Sequence, residues 1–366
     1  MAVVAAVVDA AAVEVVETNM FCDTHNRLLL QFHITGRCNL RCKHCYRTEG
    51  DVETLTYEDI INVIDQFITL RKKYNALHGI KKRGHINLTG GEPFFRKDIK
   101  DIIKYLGQHR TQVTYGFLSN GSFINEEIIA LLKETEVSFV QLSIDGDRNT
   151  HDDLRAHGDY VRVFKKAEML EKAGIRTYIS FTANKGNYKH LPKVANECRK
   201  RHITKLWSDR LVPIGNGEGL EQLKMTAADM PNYIRTLKKA QGSFVTKLLY
   251  PKTQVTMNRA LQFINSNGSI YSCSAGDSLI TVDEFGRIMP CRRMPIICGD
   301  VFTSTLEDVY YNNPTFVDLR RDCALKECAS CEYSYLCSGG AKCQSYALYG
   351  TYRKADPACP IIDKKD

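Results

Sequence analysis

Cys38, Cys42 and Cys45 fall in the run Gly36-Arg-Cys-Asn-Leu-Arg-Cys-Lys-His-Cys-Tyr46, a C-x3-C-x2-C spacing that directly follows an apolar segment. Thiolate sulfur selects soft partners such as zinc, copper(I) or iron–sulfur clusters. Structural zinc takes four protein ligands in a closed tetrahedron, and no fourth cysteine or suitably spaced histidine completes this loop. His44 is adjacent to Cys45 and too close to swing onto the same ion. Structural cysteines are buried as small apolar groups and do not normally crowd into a polar loop. The spacing therefore predicts a [4Fe–4S] cluster held through three of its irons, with the fourth open to a ligand that is not protein.

Such a loop needs a rigid support. From residue 27 to about 213 short β-type runs alternate with helix-period stretches. The predicted strands are Leu28–Thr35, His85–Thr89, Gln112–Ser119, Val137–Asp145, Thr177–Thr182 and Leu206–Pro213. The predicted helices are Tyr57–Tyr74, Lys97–Gln108, Glu126–Glu136, Val161–Ala173 and Tyr188–Arg201. Repeats of this kind imply a parallel sheet with right-handed crossovers, whose chemistry collects at the carboxyl ends of the strands. The cysteine loop, Gly90-Gly91-Glu92-Pro93 and Asn120-Gly121 each follow a predicted strand, so three sites converge on one rim.

The remainder narrows the classes. A chain of 366 residues suits a large α/β domain plus a smaller one. No apolar run approaches the roughly 20 residues of a membrane span. The Ala/Val-rich start, Met1 to Val16, carries Asp9 and Glu14 and lacks a basic opening, which makes it a poor signal peptide and a better tail or added strand. With no secretion signal, fourteen cysteines argue for metal or redox chemistry in a reducing cytoplasm. The net charge of +8 is modest, and no nucleic-acid-binding signature is present. The densest basic piece, Arg71-Lys72-Lys73 with Lys81-Lys82-Arg83, reads as solvated surface, with a docking patch for an acidic partner as the alternative. After Gly219 a helix over Asp229–Gln241 is expected, and from Cys273 onward the chain is turn-rich and holds nine of the cysteines. That segment would fold poorly without metal crosslinks.

Taken together, these residues resemble a radical S-adenosylmethionine (SAM) enzyme with a C-terminal SPASM auxiliary-cluster domain. The resemblance implies a partial (β/α)6 barrel over residues 27–225, a helical linker over 226–270 and the cysteine-rich SPASM domain over 271–366, with residues 1–26 as a tail. It further implies that Cys38, Cys42 and Cys45 hold the reactive cluster, and that its open iron takes the amine and carboxylate of SAM. Reductive cleavage of SAM would give a 5′-deoxyadenosyl radical that abstracts hydrogen from a substrate. His44 matches the aromatic position beside the adenine. Gly90, Gly91 and Glu92 match the G-G-E-P motif, read physically as glycines that let backbone close on the ligand and a carboxylate that accepts from its ammonium. Ser143 matches a ribose contact and Arg155 a SAM-carboxylate contact. Asn120 is a pocket candidate or an Asn-Gly turn. Asp145 is a ligand contact or a strand-end cap; Thr182 and Asn187 are further candidates.

The same resemblance gives Cys328, Cys331, Cys337 and Cys359 one auxiliary cluster, and Cys273, Cys291 and Cys343 a second, nearer the substrate. Ala341 stands where many relatives have a cysteine, so the fourth inner ligand is Cys298, Cys323 or an open iron. Zinc is the alternative metal for the C-terminal set. Cys22 has no partner in sequence, and Cys198 reads as a core residue. Relatives commonly modify ribosomally made peptides by crosslinking, epimerisation or oxidation; others mature sulfatases or build tetrapyrrole and quinone cofactors. Sulfatase-maturing relatives place an acidic residue where this chain has Arg292, followed by Arg293, a pair suited to an anionic substrate group or to surface ion pairs. A peptide-modifying enzyme is thus the leading expectation, with cofactor maturation and a non-catalytic metal-binding scaffold as alternatives. No leader-binding module of roughly eighty residues is expected ahead of the core, so a peptide would be recognised by the rim, the SPASM domain or a separate protein. A low-potential donor such as flavodoxin or ferredoxin is the expected electron source, and neither nucleic acid nor membrane is an expected partner.

Overall fold

The computed structural model describes residues 28–47, 50–264, 270–321 and 325–362. Residues 1–27, and with them Cys22, lie outside the described residues, as does Cys323.

Six parallel strands run in sequence order across the sheet: β1 (Leu29–Thr35), β2 (Gly84–Gly90), β3 (Val113–Leu118), β4 (Phe139–Ser143), β5 (Thr177–Ala183) and β6 (Lys205–Arg210). Each lies within a few residues of its predicted position. The helices between them are α1 (Tyr57–His78), α2 (Ile99–Gln108), α3 (Glu126–Glu134), α4 (Arg148–Leu154), α5 (Asp159–Lys172) and α6 (Leu191–Lys200), and all but α4 follow the apolar spacing. Helix α1 shows why these boundaries were readable. Thr56 and Asp59 form a reciprocal capping box at its start, and Gly79 closes it in the left-handed conformation. Between these caps Ile60, Val63, Ile64 and Phe67 turn one stripe onto the sheet and are fully buried. Helix α4 was not foreseen. It is one short polar segment, Arg148-Asn-Thr-His-Asp-Asp-Leu154, started by Asp147 accepting from Thr150 N.

The sheet is larger than the six repeats. β7 (Gln254–Thr256) pairs parallel with β6, inside the stretch expected to be a helical linker. On the other side β8 (Leu279–Val282) pairs parallel with β1, followed by antiparallel β9 (Arg287–Met289) and β10 (Gly299–Asp300). The ten strands form an open sheet in the order β10-β9-β8-β1-β2-β3-β4-β5-β6-β7. The C-terminal segment therefore extends the sheet, and β1 is an interior strand. Its buried residues Leu30, Phe32 and Ile34 belong to the same core as Ile280 and Val282 of β8.

Two further expectations resolve here. Cys198 is fully buried on α6 in the main core, where burial pushes its thiol up to about 12. The basic run is thinner than its sequence suggests: Arg71 is buried and donates to Lys82 O at 2.8 Å, and Lys73 pairs with Glu307. No helix among the described residues is long and apolar enough to cross a membrane.

One buried ion pair ties the end of β6 to the C-terminal segment. Arg210 donates through both terminal nitrogens to Asp356, one bond at 2.9 Å, and Asp356 also accepts from Ala341 N and Ala358 N, each at 3.0 Å. Removing one partner of such a pair strands a buried charge. Asp356→Asn is expected to cost about 3–5 kcal/mol. Replacing both residues with apolar ones, Arg210→Met with Asp356→Leu, should recover much of that loss, as read by urea-unfolding midpoints.

Candidate active site

The cysteine loop leaves the carboxyl end of β1 and is held by backbone. Gly36 N donates to Val52 O at 2.7 Å, Gly91 N to Thr35 O at 2.8 Å and Glu92 N to Arg37 O at 2.8 Å. These bonds explain the glycines. A Cβ on Gly90 would lie 2.1 Å from Thr35 O, and one on Gly91 2.1 Å from Arg37 O; Gly90 also has a φ of +134°. In this structure the glycines let the second strand's exit close on the cysteine loop. Arg47 fixes the far end of the loop. It donates to Gly36 O at 2.6 Å and to Glu284, in the β8–β9 turn, at 2.8 Å.

Cys38, Cys42 and Cys45 are half-buried and near enough for their charges to interact. Burial pushes Cys42 up to about 11, so its ionisation must be coupled to metal binding. Among the described residues no three metal-binding side chains gather tightly enough for a single ion. Three thiols spread over a loop instead suit a cubane, which binds each through a different iron. A cavity of about 470 Å³ opens beside them, lined by all three cysteines and by His44, Gly90, Gly91, Asn120, Ser143 and Arg155. Thr182 also faces it. Seven of the residues predicted from the rim motifs thus share one space with the thiols.

Glu92 does not. It is fully buried, and its carboxylate accepts from Ser119 Oγ at 2.7 Å, Asn120 N at 2.7 Å and Phe94 N at 3.2 Å. The structure sets this carboxylate behind the cavity wall, where it ties together the turns after β2 and β3. Burial outweighs those hydrogen bonds and pushes it up to about 7. Asn187 is also away from the cavity, its amide spanning Asp145 O and Thr182 O at 2.9 Å each.

Asp145 organises the rim. Fully buried, it accepts from Arg155 Nε at 2.5 Å and Thr182 N at 2.7 Å, with His44 Nε2 at 3.4 Å. Burial would raise its pKa, but the charges of Arg155, His44 and His151 prevail and hold it at about 2. Arg155, given to the SAM carboxylate by its motif, already has this partner and also reaches Cys42 Sγ at 3.9 Å and His44 Nε2 at 3.3 Å. Burial lowers His44 to about 4, leaving a neutral ring at the cavity wall with Nδ1 unpartnered. Asn120 Nδ2 reaches Cys38 Sγ at 3.8 Å, and Ser143 Oγ lies 3.2 Å from Ser180 Oγ.

The C-terminal thiols form the two groups expected from their motif. Cys273, Cys291 and Cys343 interact through charge, as do Cys328, Cys331, Cys337 and Cys359. The second set lines a small apolar cavity with Leu261, Phe263 and Ile264. Cys298 stands apart: its thiol donates to Ile296 O at 3.4 Å, and among the described residues no other cysteine perturbs it. Sequence reasoning missed Asp209 and Trp207 at the end of β6. Asp209 accepts from Arg293 at 2.8 Å, placing that guanidinium against Cys343 and Cys291, and Trp207 Nε1 donates to Gln141 Oε1 at 3.0 Å. The polar Ser208-Asp209-Arg210 run inside the predicted strand Leu206–Pro213 was the available signal.

Two outcomes are expected. Asp145→Asn leaves Arg155 uncompensated and should cost about 3–5 kcal/mol near neutral pH. Because the folded-state pKa is depressed, this contribution is complete above the ordinary carboxylate value near 4 and fades as pH falls toward about 2. Unfolding of the metal-free protein across that window should show wild type and variant converging. Separately, Cys337→Ala and Cys343→Ala should each lower the iron and sulfide content by the equivalent of one auxiliary cluster, leaving the remaining clusters' absorbance.

Comparison with known proteins completes the picture. A sequence model of the radical SAM superfamily matches residues 32–198, and one of the SPASM iron–sulfur cluster-binding domain matches residues 257–332. The AdoMet-dependent heme synthase of Methanosarcina barkeri is 25% identical over 93% of this chain and 98% of its own length. The mycofactocin maturase MftC of Mycobacterium ulcerans is 26% identical over 91% of this chain and 87% of its own. Among solved structures, SAM-bound SuiB of Streptococcus suis superposes with a TM-score of 0.70 at 18% identity, covering 91% of this chain and 77% of SuiB. AdoMet-bound anSMEcpe gives 0.73 at 16%, covering 92% and 91%. The chain is therefore an enzyme of the radical SAM superfamily with a C-terminal SPASM domain, whose cofactors are SAM, a [4Fe–4S] cluster and auxiliary iron–sulfur clusters.

Proposed function

We propose that this enzyme modifies a ribosomally made peptide, with residues 27–225 as catalytic core and 271–366 as auxiliary-cluster domain. The observation that carries this reading is a second cavity adjoining the first. It has a volume of about 700 Å³ and lies between the loop after β6, the β8–β9 turn and the helix Lys342–Tyr349. Tyr46, Arg47 and Arg292 line both spaces. A groove leading into a smaller inner cavity suits an extended chain that presents one side chain to the thiol loop. Main-chain groups of such a substrate would meet polar walls from Glu218, Glu221 and Asp283.

Cys38, Cys42 and Cys45 would hold the reactive cluster, and Gly90, Gly91, Asn120, Ser143, His44 and Arg155 would surround SAM. When bound, cluster and SAM supply an electron and a carbon-centred radical able to remove hydrogen from an unactivated C–H bond. The chain's own residues do the rest. The loop staple from Arg47 to Glu284 orients the thiols, and the neutral His44 ring offers a flat apolar face. The paired Arg155 adds a fixed donor without a free charge. A flavodoxin- or ferredoxin-type donor in the cytoplasm would provide the electron. SuiB, which has been crystallised with its precursor peptide SuiA, supports a peptide substrate.

A second reading is cofactor maturation on a tetrapyrrole, which the similarity to a heme synthase and to the Fe-coproporphyrin III synthase of Methanosarcina barkeri supports. Co-expression with peptides encoded beside the gene decides between them. A mass change on one peptide, absent with Cys38→Ala, is the expected result. Unchanged peptides together with a tightly copurifying pigment would favour the tetrapyrrole.

A further inference from the structure

Six arginines line the inner cavity: Arg41, Arg47, Arg155, Arg210, Arg292 and Arg293. Five have a carboxylate partner. Arg41 pairs with Asp51, Arg47 with Glu284, Arg155 with Asp145, Arg210 with Asp356 and Arg293 with Asp209. Arg292 has none among the described residues. Its guanidinium lies 4.5 Å over the Tyr46 ring and donates to the Tyr46 hydroxyl at 3.1 Å. That contact holds the planar fork in place while leaving its other N–H groups free of acceptors. Arg292 is half-buried, and it alone of the six, apart from Arg47 with its Glu284, also faces the outer groove.

From this arrangement we propose that Arg292 is a substrate-binding residue that receives a carboxylate at the junction of groove and inner cavity. The inference rests on the peptide reading only for where the carboxylate comes from: an acidic side chain or a C-terminus. A partly desolvated guanidinium already oriented by an aromatic ring gains most from a bidentate oxyanion, and a neutral amide cannot replace it. The sequence treated Arg292 and Arg293 as a pair. The structure separates them: Arg293 is neutralised by Asp209 against the inner thiols, and Arg292 supplies the unmatched charge.

The test uses iron-reconstituted, SAM-saturated enzyme under anaerobic conditions. Three acetylated pentapeptides serve as probes: glycine with a central glutamate and amidated end, the same with glutamine, and all-glycine with a free carboxyl end. Wild type is expected to bind a carboxylate-bearing probe about ten-fold more tightly than the glutamine probe; which of the two binds identifies the carboxylate's position. Arg292→Glu should reverse the preference toward a lysine-centred probe, a reversal that a purely structural role would not produce. On wild type alone, phenylglyoxal with peptide mass mapping should modify Arg292 faster than Arg155, Arg210 and Arg293, and a carboxylate probe should protect it. This second measurement stands even where Arg292→Glu fails to hold iron. Equal binding of glutamate, free-carboxyl and glutamine probes overturns the proposal, as does protection of Arg292 by SAM alone. Should no peptide bind while glutarate protects Arg292, the carboxylate site stands and the peptide reading falls.

Discussion

A guanidinium drawn into the rim of a cavity is best stabilised by an anion beside it, because an isolated buried charge is far costlier than a matched one. The architecture of the rim follows from this constraint. Asp145, Glu284, Asp356 and Asp209 each meet an arginine where strands end and loops begin. Three of these pairs cross between the strand repeats and the C-terminal segment, joining residues 237, 146 and 84 positions apart. The catalytic loop, the last strand of the repeats and the auxiliary-cluster segment are thereby fixed to one another by charge as well as by the shared sheet. The cavity between them is a consequence of where those pairs stand.

Much of this was legible in the chain. Apolar periodicity and caps such as Thr56 and Gly79 located the six repeats, since those signals are local and depend on the backbone's own geometry. Cysteine spacing located the Cys38–Cys45 loop, and the resemblance to the SPASM pattern implied the two C-terminal groups. What could not be read was partner choice. Nothing near Arg47 announces Glu284, and nothing near Arg210 announces Asp356, because such pairing is decided only once distant strands lie side by side. The C-terminal strands were missed for a related reason: with four, three and two residues, β8, β9 and β10 are too short to show any alternation.

The Gly-Gly-Glu motif illustrates how one sequence signal serves the backbone as well as the rim. Its position after β2 places it on the cavity rim. Yet the glycines are required by the carbonyls of Thr35 and Arg37, and the carboxylate by the turns that follow β2 and β3. These residues shape the wall by holding two neighbouring loops in register. A motif can therefore be indispensable to a ligand site through backbone closure, with its most polar side chain facing away.

The pairing of β8 with β1 has a consequence for how the polypeptide is made. Leu29 and its neighbour Leu279 are separated by 250 positions. On a ribosome, β2 emerges early and can pair with β1, but β8 reaches the opposite flank of β1 only after 250 further positions have been translated. An unsatisfied strand edge is a template for intermolecular association. Nascent chains of this enzyme thus carry a sticky flank through most of their synthesis, and any product truncated ahead of β8 would retain it permanently.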